Sequence, residues 1–205
     1  MPAGSIFLIG GGGHALVVAE AAFEAGWTPR GHFDDREGAP LATLVPRVGA
    51  VAEVQRLMPE ASPVILCIGD LGARRDVLHR LPGLKWTRVR HPAATVSRRA
   101  GVGDGVFLSA RCVVQIRAAV GDHAIINTGA IVEHECVVGE NAHIAPGAVL
   151  CGNVRIGADT LVGAGARVLP GVSVGARCTV GAGGVVTKDV PDGATVVGVP
   201  ARVIG

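Results

Sequence analysis

Three short stretches carry the residues able to do chemistry. Asn127-Thr-Gly-Ala-Ile-Val-Glu-His134-Glu135-Cys136 sets an imidazole beside a carboxylate, and Asn141-Ala-His143-Ile-Ala-Pro146-Gly147 adds a second imidazole. A positioned imidazole exchanges protons near neutral pH and can relieve an attacking nucleophile of its proton. Outward polar side chains are also ordinary solvated surface, so residue type alone leaves both readings open. The third stretch is Gly10-Gly-Gly-Gly-His14, in which Gly10-x-Gly12-x-x-Ala15 is followed some twenty positions on by Asp34. That spacing matches the dinucleotide fingerprint: glycines let the backbone approach a pyrophosphate, and the helix that follows favours negative charge at its start. A tight strand-to-helix turn without a ligand is the alternative.

The glycine loop needs a strand before it and a helix after it. Ser5-Ile-Phe-Leu-Ile9 reads as a buried strand, and Ala15 to Ala25 as an alanine-rich helix closed by Gly26. Further along, the pattern predicts a strand near Arg30 to Phe33 ending at Asp34-Asp35, a helix near Val51 to Met58 and a strand Val64 to Ile68. A helix from about Ala73 to Leu81 and a strand Lys85 to Val89 complete the series. Alternating strands and helices imply a small parallel sheet of the doubly wound type. With about ninety residues only one mononucleotide-binding half fits, so a single nucleoside diphosphate suits the loop better than a dinucleotide.

The histidines lie in a different kind of sequence. Every sixth residue from Val96 to Val186 is aliphatic, and two residues before each stands a small or β-branched one. A six-residue step drifts off any helical face, whereas short strands joined by tight turns hold it. Gly at 103, 121, 139, 157 and 175 adds a period of eighteen, so three six-residue sides make one coil of a parallel β-helix with a triangular section. Residue i then stacks on i ± 18 at about 4.8 Å. Both columns point inward. Cys112, Cys136 and Cys178 fall in the small column and read as core. His134 and Glu135 fall at a corner, and His143 faces outward from a flat side.

Composition agrees. Hydrophobic residues make up 49% and charged residues 18% of 205, which implies a folded globular chain, and a net charge of +2 lacks the footprint of a nucleic-acid binder. Gly is frequent (31 residues), Tyr is absent, and five of the six Phe and Trp precede residue 90, so a domain boundary is placed near His91-Pro92: residues 1–90 and 91–205. Five Cys without a CxxC pair argue against zinc and against a secreted disulfide framework, pointing to the cytoplasm. Neither Ser5–Ile9, which breaks at four glycines, nor Ala15–Phe23, which contains Glu20, resembles a signal peptide or a membrane span.

The two-domain plan, the Gly10 to His14 entry, the Asn127 to Cys136 run and the Gly198-Val-Pro-Ala201-Arg202 ending resemble the bacterial nucleotide-sugar acetyltransferases of the hexapeptide-repeat class. The resemblance implies a Rossmann-like N-terminal domain, a left-handed parallel β-helix and a homotrimer with its active site between subunits. It implies acetyl-CoA as co-substrate, no metal, and N-acetylation of a nucleotide-linked 4-amino-6-deoxy sugar for surface glycan or glycoprotein biosynthesis, or alternatively O-acetylation of sialic acid. His134 would be the general base, polarised by Glu135. His143 would contact the acyl donor, Gly152 would offer an N–H to the thioester carbonyl, and Ala164 and Ala182 would line the pantetheine arm, with Lys188 or Arg202 near its phosphates. The nucleotide sugar would meet Gly12, Gly13 and His14 at its diphosphate and Asp34 and Asp35 at its nucleoside, with Asp70 and Arg74 close by. Two other readings differ in kind. A zinc enzyme like the γ-class carbonic anhydrases would need His123, His134 and His143 together, yet their spacings of eleven and nine differ from that family's. A sugar-nucleotide sensor without chemistry would need none of them.

Overall fold

The computed structural model describes residues 4–204, and the chain divides into two compact units between Pro92 and Ala93. In the first unit five parallel strands, β1 (Gly4–Ile9), β2 (Trp27–Phe33), β3 (Arg47–Gly49), β4 (Pro63–Leu66) and β5 (Lys85–Trp86), lie in the order β3-β2-β1-β4-β5. The helices are α1 (Gly13–Glu24), α2 (Val54–Leu57) and α3 (Leu71–Arg80). Ile6, Leu8, Ile9, Phe33, Ile65 and Leu66 are fully buried, as near-continuous apolar strands of a sheet covered on both faces should be.

Three elements differ from the sequence reading by more than two residues or in kind, whereas α1, β4 and α3 shift by one or two at their ends. β2 begins earlier, at Trp27, and takes in Pro29 because its register with β1 shifts beside that residue, where a missing N–H does least harm. The helix expected over 51–58 is a 3-10 turn, Val51–Glu53, running into the single turn of α2. It stops at Met58, which precedes Pro59 and is extended (ψ 131°), as steric conflict with a following proline ring requires. The strand expected over 85–89 is two pieces, Lys85–Trp86 and Val89–Arg90; the N–H of Thr87 still reaches the Val64 carbonyl, and the ladder with β4 ends there.

The second unit is a solenoid of two-residue strands with every pairing parallel up to Val185–Val186. Its first face stacks Thr95–Val96, Val113–Val114, Ile131–Val132, Val149–Leu150, Arg167–Val168 and Val185–Val186. The second face runs from Gly101–Val102 to Ser173–Val174, and the third includes Phe107–Leu108, Ile125–Ile126, His143–Ile144, Leu161–Val162 and Thr179–Val180. Partners differ by eighteen, as in Val113↔Ile131 and His143↔Leu161. Both six-residue columns form one continuous core, with Thr160 buried among the aliphatics and its hydroxyl donating to the Gly175 carbonyl at 2.7 Å. The last turn is two residues shorter: Thr179 pairs with Thr195, and Thr195–Gly198 folds back antiparallel against Ala201–Val203.

The glycine column follows from the closeness of successive coils. A Cβ built on Gly139 would stand 2.5 Å from the Ala158 nitrogen and one on Gly157 2.4 Å from the Ala176 nitrogen, so backbone meets backbone with no room for a side chain. Gly139→Ala is therefore expected to destabilise the protein by about 1–3 kcal/mol through overpacking. Leu150→Ala, which empties part of the core, should cost about 2–5 kcal/mol. Urea unfolding followed by circular dichroism checks both, with Gly38→Ala, a position with open space around it, as the neutral control.

Candidate active site

The carboxyl ends of β1, β2 and β4 converge in the first unit, the edge where open parallel sheets bind ligands. Gly10 adopts φ +105°, and a Cβ there would stand 2.8 Å from Ile68 Cγ1. The Gly11 N–H donates to Asp34 Oδ2 at 2.7 Å, while Asp34 Oδ1 accepts from the Arg36 N–H and guanidinium. Burial raises the Asp34 carboxyl, but these hydrogen bonds outweigh it and hold the group below its ordinary value. Gly12 caps α1 without a side-chain bond, and Gly13 faces open space. The Gly13 N–H at the start of α1 is thus offered to an anion, while the Ala15 N–H closes the first turn on the Gly12 carbonyl at 3.0 Å. His14, the second residue of α1, lies against Gly69, so the loops after β1 and β4 are neighbours.

The expected nucleoside residues divide. Asp34 has both oxygens engaged in ordering the glycine loop. Asp35 gives one oxygen to the Val51 N–H and stays exposed. Asp70 caps α3 through the Ala73 N–H at 2.8 Å. Arg74 is 1% exposed and donates to the Ile68 carbonyl at 2.8 Å, so it braces the end of β4 instead of reaching toward a ligand; burial pulls its guanidinium down to about 10. Beside this edge lies a pocket of about 330 Å³, with Asp35 and Arg36 on one side and Asp76 and Arg80 of α3 on the other. A larger pocket of about 570 Å³, bordered by Gln55, Met58 and Lys85, sits where β4 and β5 begin, the edge that such sheets do not use for ligands.

In the solenoid, His134 and Glu135 stand at the corner between the first and second faces. Glu135 adopts φ +61°, which swings its carboxylate back to its neighbour: His134 Nδ1 lies 3.3 Å from Glu135 Oε2, within one chain. Glu135 Oε1 accepts from Arg117 of the preceding coil at 3.2 Å, and Arg117 foremost, then His134, holds this carboxyl below its ordinary value. An acceptor at Nδ1 fixes the proton there and leaves the Nε2 lone pair outward, the form a general base requires. The ring lies over Gly152, where a Cβ would come within 2.5 Å of it.

His143 is on the third face. Its Nε2 lies 3.0 Å from Asn127 Nδ2, and Asn127 Oδ1 accepts from the Thr128 N–H, which orients the amide to donate to the ring. Exposed Ala164 and Ala182 follow the third face, stacked through the Gly183 N–H and the Ala164 carbonyl, and with Gly165 and Gly183 they make a ledge of small residues. The His134 corner is the apex opposite that face. His134, Glu135 and Gly152 are brought together; Ala164 and Ala182 stack on one another, and His143 pairs with Leu161 on the third face, across the coil from the His134 corner. His123 sits at a third position, the corner after the second face, and among the described residues no three metal-ligating side chains cluster.

The sequence reading passed over Arg117, Asn127, Asp76 and Arg80. Arg117 lies eighteen residues before Glu135, one coil away, so the coil period was the signal for it; Asp76 and Arg80 are four apart on one helix face.

Residues 5–81 match the PglD N-terminal domain, residues 117–152 the bacterial transferase hexapeptide (six repeats), and residues 153–188 the hexapeptide repeat of succinyl-transferase. The chain is similar to the acetyltransferase domain of PglB from Neisseria gonorrhoeae FA1090, at 36% identity and TM-score 0.90, covering 98% of this chain and 99% of that one. That domain has also been solved with acetyl coenzyme A. It is similar to PerB from Caulobacter crescentus in complex with CoA and GDP-perosamine, at 37% identity and TM-score 0.88, covering 99% and 98%. WeeI from Acinetobacter baumannii AYE, at 24% identity, TM-score 0.85 and coverage of 98% and 100%, shares the fold. No curated protein matches in sequence. The fold is thus a PglD-type N-terminal domain joined to the left-handed β-helix of hexapeptide transferases.

Removing charge around the imidazole has a direct readout. Arg117→Ala should let the Glu135 carboxyl rise toward its ordinary value, because the guanidinium is foremost among the groups that hold it down; a carbon-13 NMR titration of the Glu135 side chain checks this.

Proposed function

The chain belongs to the bacterial hexapeptide-repeat nucleotide-sugar acetyltransferases, and from that premise we propose that it transfers the acetyl group of acetyl-CoA to the amine of a nucleotide-linked 4-amino-6-deoxy sugar. The observation that carries this reading is the imidazole of His134, held at Nδ1 by Glu135 with Nε2 unengaged. The sugar amine attacks the thioester carbon and passes a proton to His134 Nε2. Collapse of the tetrahedral adduct breaks the carbon–sulfur bond, and the departing CoA thiolate takes that proton back. Gly152, whose N–H has no hydrogen-bond partner among the described residues, donates to the carbonyl oxygen as negative charge builds there.

The start of α1, with Gly12, Gly13 and His14, takes the diphosphate, and Asp35 takes the nucleoside. The alanine ledge suits a narrow pantetheine arm, with His143 contacting the donor and Lys188 or Arg202 its phosphates. Because the His134 corner and the His143 face are on opposite sides of one coil, a single active centre drawing on both needs a second copy, which supports a homotrimer with the site between subunits. Free thiols at all five Cys and both substrates suit the cytoplasm. The likeness to PerB, crystallised with CoA and GDP-perosamine, favours an amine over a sialic acid hydroxyl as acceptor.

The test is thiol release from acetyl-CoA against UDP-, dTDP- and GDP-linked 4-amino-6-deoxy sugars, with sialic acid alongside. Turnover is expected with an amino-sugar nucleotide, and His134→Ala should lower kcat by about 10²–10⁴-fold with unchanged thermal unfolding. Turnover of sialic acid alone would replace the amine with a hydroxyl, and an undiminished His134→Ala would remove the imidazole from the chemistry.

A further inference from the structure

We infer that the pocket beside the glycine loop selects guanine, so that the acceptor is a GDP-linked amino sugar; this deepens the nucleotide-sugar reading above and rests on it. The pocket of about 330 Å³ opens at the carboxyl ends of β2 and β4, the edge that also carries the start of α1, and so lies where the nucleoside of a diphosphate held there must go. Val51, Ile68 and Val77 give it an apolar wall against which a flat base can lie. Around them stand Asp34, Asp35, Arg36, Asp76 and Arg80, of which Asp34 and Arg36 are paired with each other at 3.1 Å. Asp76 and Arg80 are one helical turn apart on α3, yet they form no ion pair among the described residues; Arg80 reaches only the Asp76 main-chain carbonyl, through Nε at 3.4 Å. A carboxylate and a guanidinium that border one pocket without engaging each other are both available to a ligand.

That pair matches one base. Guanine presents two adjacent donors, N1–H and the 2-amino group, which a carboxylate accepts in parallel, and two adjacent acceptors, O6 and N7, which a guanidinium meets in its fork geometry. Uracil and thymine carry a single ring N–H between two carbonyl oxygens, so a carboxylate facing it gains one bond and meets two like partial charges. Adenine offers an amine beside an unprotonated ring nitrogen, again one bond for a carboxylate. Asp35, with one oxygen held by the Val51 N–H, keeps the other toward the pocket, while Asp76 has both oxygens available to pair with the donor edge.

Isothermal titration of the full chain with GDP, UDP, dTDP and inosine 5′-diphosphate tests this. GDP should bind about tenfold or more tighter than the pyrimidine nucleotides, and inosine 5′-diphosphate, which lacks only the 2-amino group, should be weakened by a similar factor. Asp76→Asn should abolish the difference between GDP and inosine 5′-diphosphate while leaving UDP binding unchanged, and Arg80→Ala should weaken both purines alike. UDP or dTDP binding as tightly as GDP, or GDP binding indifferent to both substitutions, would overturn the guanine assignment and leave the nucleotide site standing. No binding by any of the four would instead overturn the nucleotide-sugar reading on which it rests.

Discussion

Six residues per side is the constraint from which the solenoid and its chemistry follow. Each side holds a two-residue strand and a tight turn, and three sides return the chain to a point directly above its start, where main-chain N–H groups meet main-chain carbonyls of the next coil. Hydrogen bonding therefore fixes the coil spacing, and side chains must fit what remains. Inside, the available width admits one aliphatic and one small residue per side. At the closest approach it admits no side chain at all, which is why Gly121, Gly139 and Gly157 stack in a column. Outside, each corner delivers side chains at fixed intervals along the axis, and the His134–Glu135–Arg117 arrangement is built from one such corner and the coil preceding it.

The solenoid was legible because nothing interrupts its period: a single column from Val96 to Val186 sets register, face and corner for every residue between. The same register placed His134 and Glu135 at a corner, but it carried no information on side-chain direction beyond in or out. The Nδ1 contact depends on the left-handed backbone of Glu135, a conformation that Arg111, Arg117 and Arg177 share at equivalent places, so residue type did not announce it. The first unit was legible in element order and less so in roles. Asp34 and Arg74 have the chemistry of ligand-binding residues, and burial turns that chemistry inward: one ties down the glycine loop, the other satisfies carbonyls at the end of a strand. A buried arginine and an exposed one read alike in a sequence when the neighbours that bury it come from a different strand.

The two units illustrate opposite ways of holding reactive groups. The sheet edge gathers loops from β1, β2 and β4, so its cradle depends on contacts between segments far apart in the chain, such as the Gly11 N–H reaching the carboxylate of Asp34. The solenoid gathers its groups by simple translation, and neighbours such as Arg117 and Glu135 meet because they occupy the same place in successive coils. Variation therefore acts differently on them. A loop change at the sheet edge reshapes several contacts at once, whereas a corner residue of the solenoid can change with little consequence beyond the coils above and below.

The shortened last turn bears on growth of the stack. A solenoid whose coils all have the same length presents, at its final coil, the same row of donors and acceptors that it presents everywhere else, and so offers a template for another copy to continue. Here Thr195 follows Thr179 after sixteen residues instead of eighteen, and the strand Thr195–Gly198 is met by the antiparallel strand Ala201–Val203. The repeat is broken in length and then in direction, so the edge that Ala201–Val203 presents on the third face runs opposite to every strand beneath it and does not repeat the template of a regular coil.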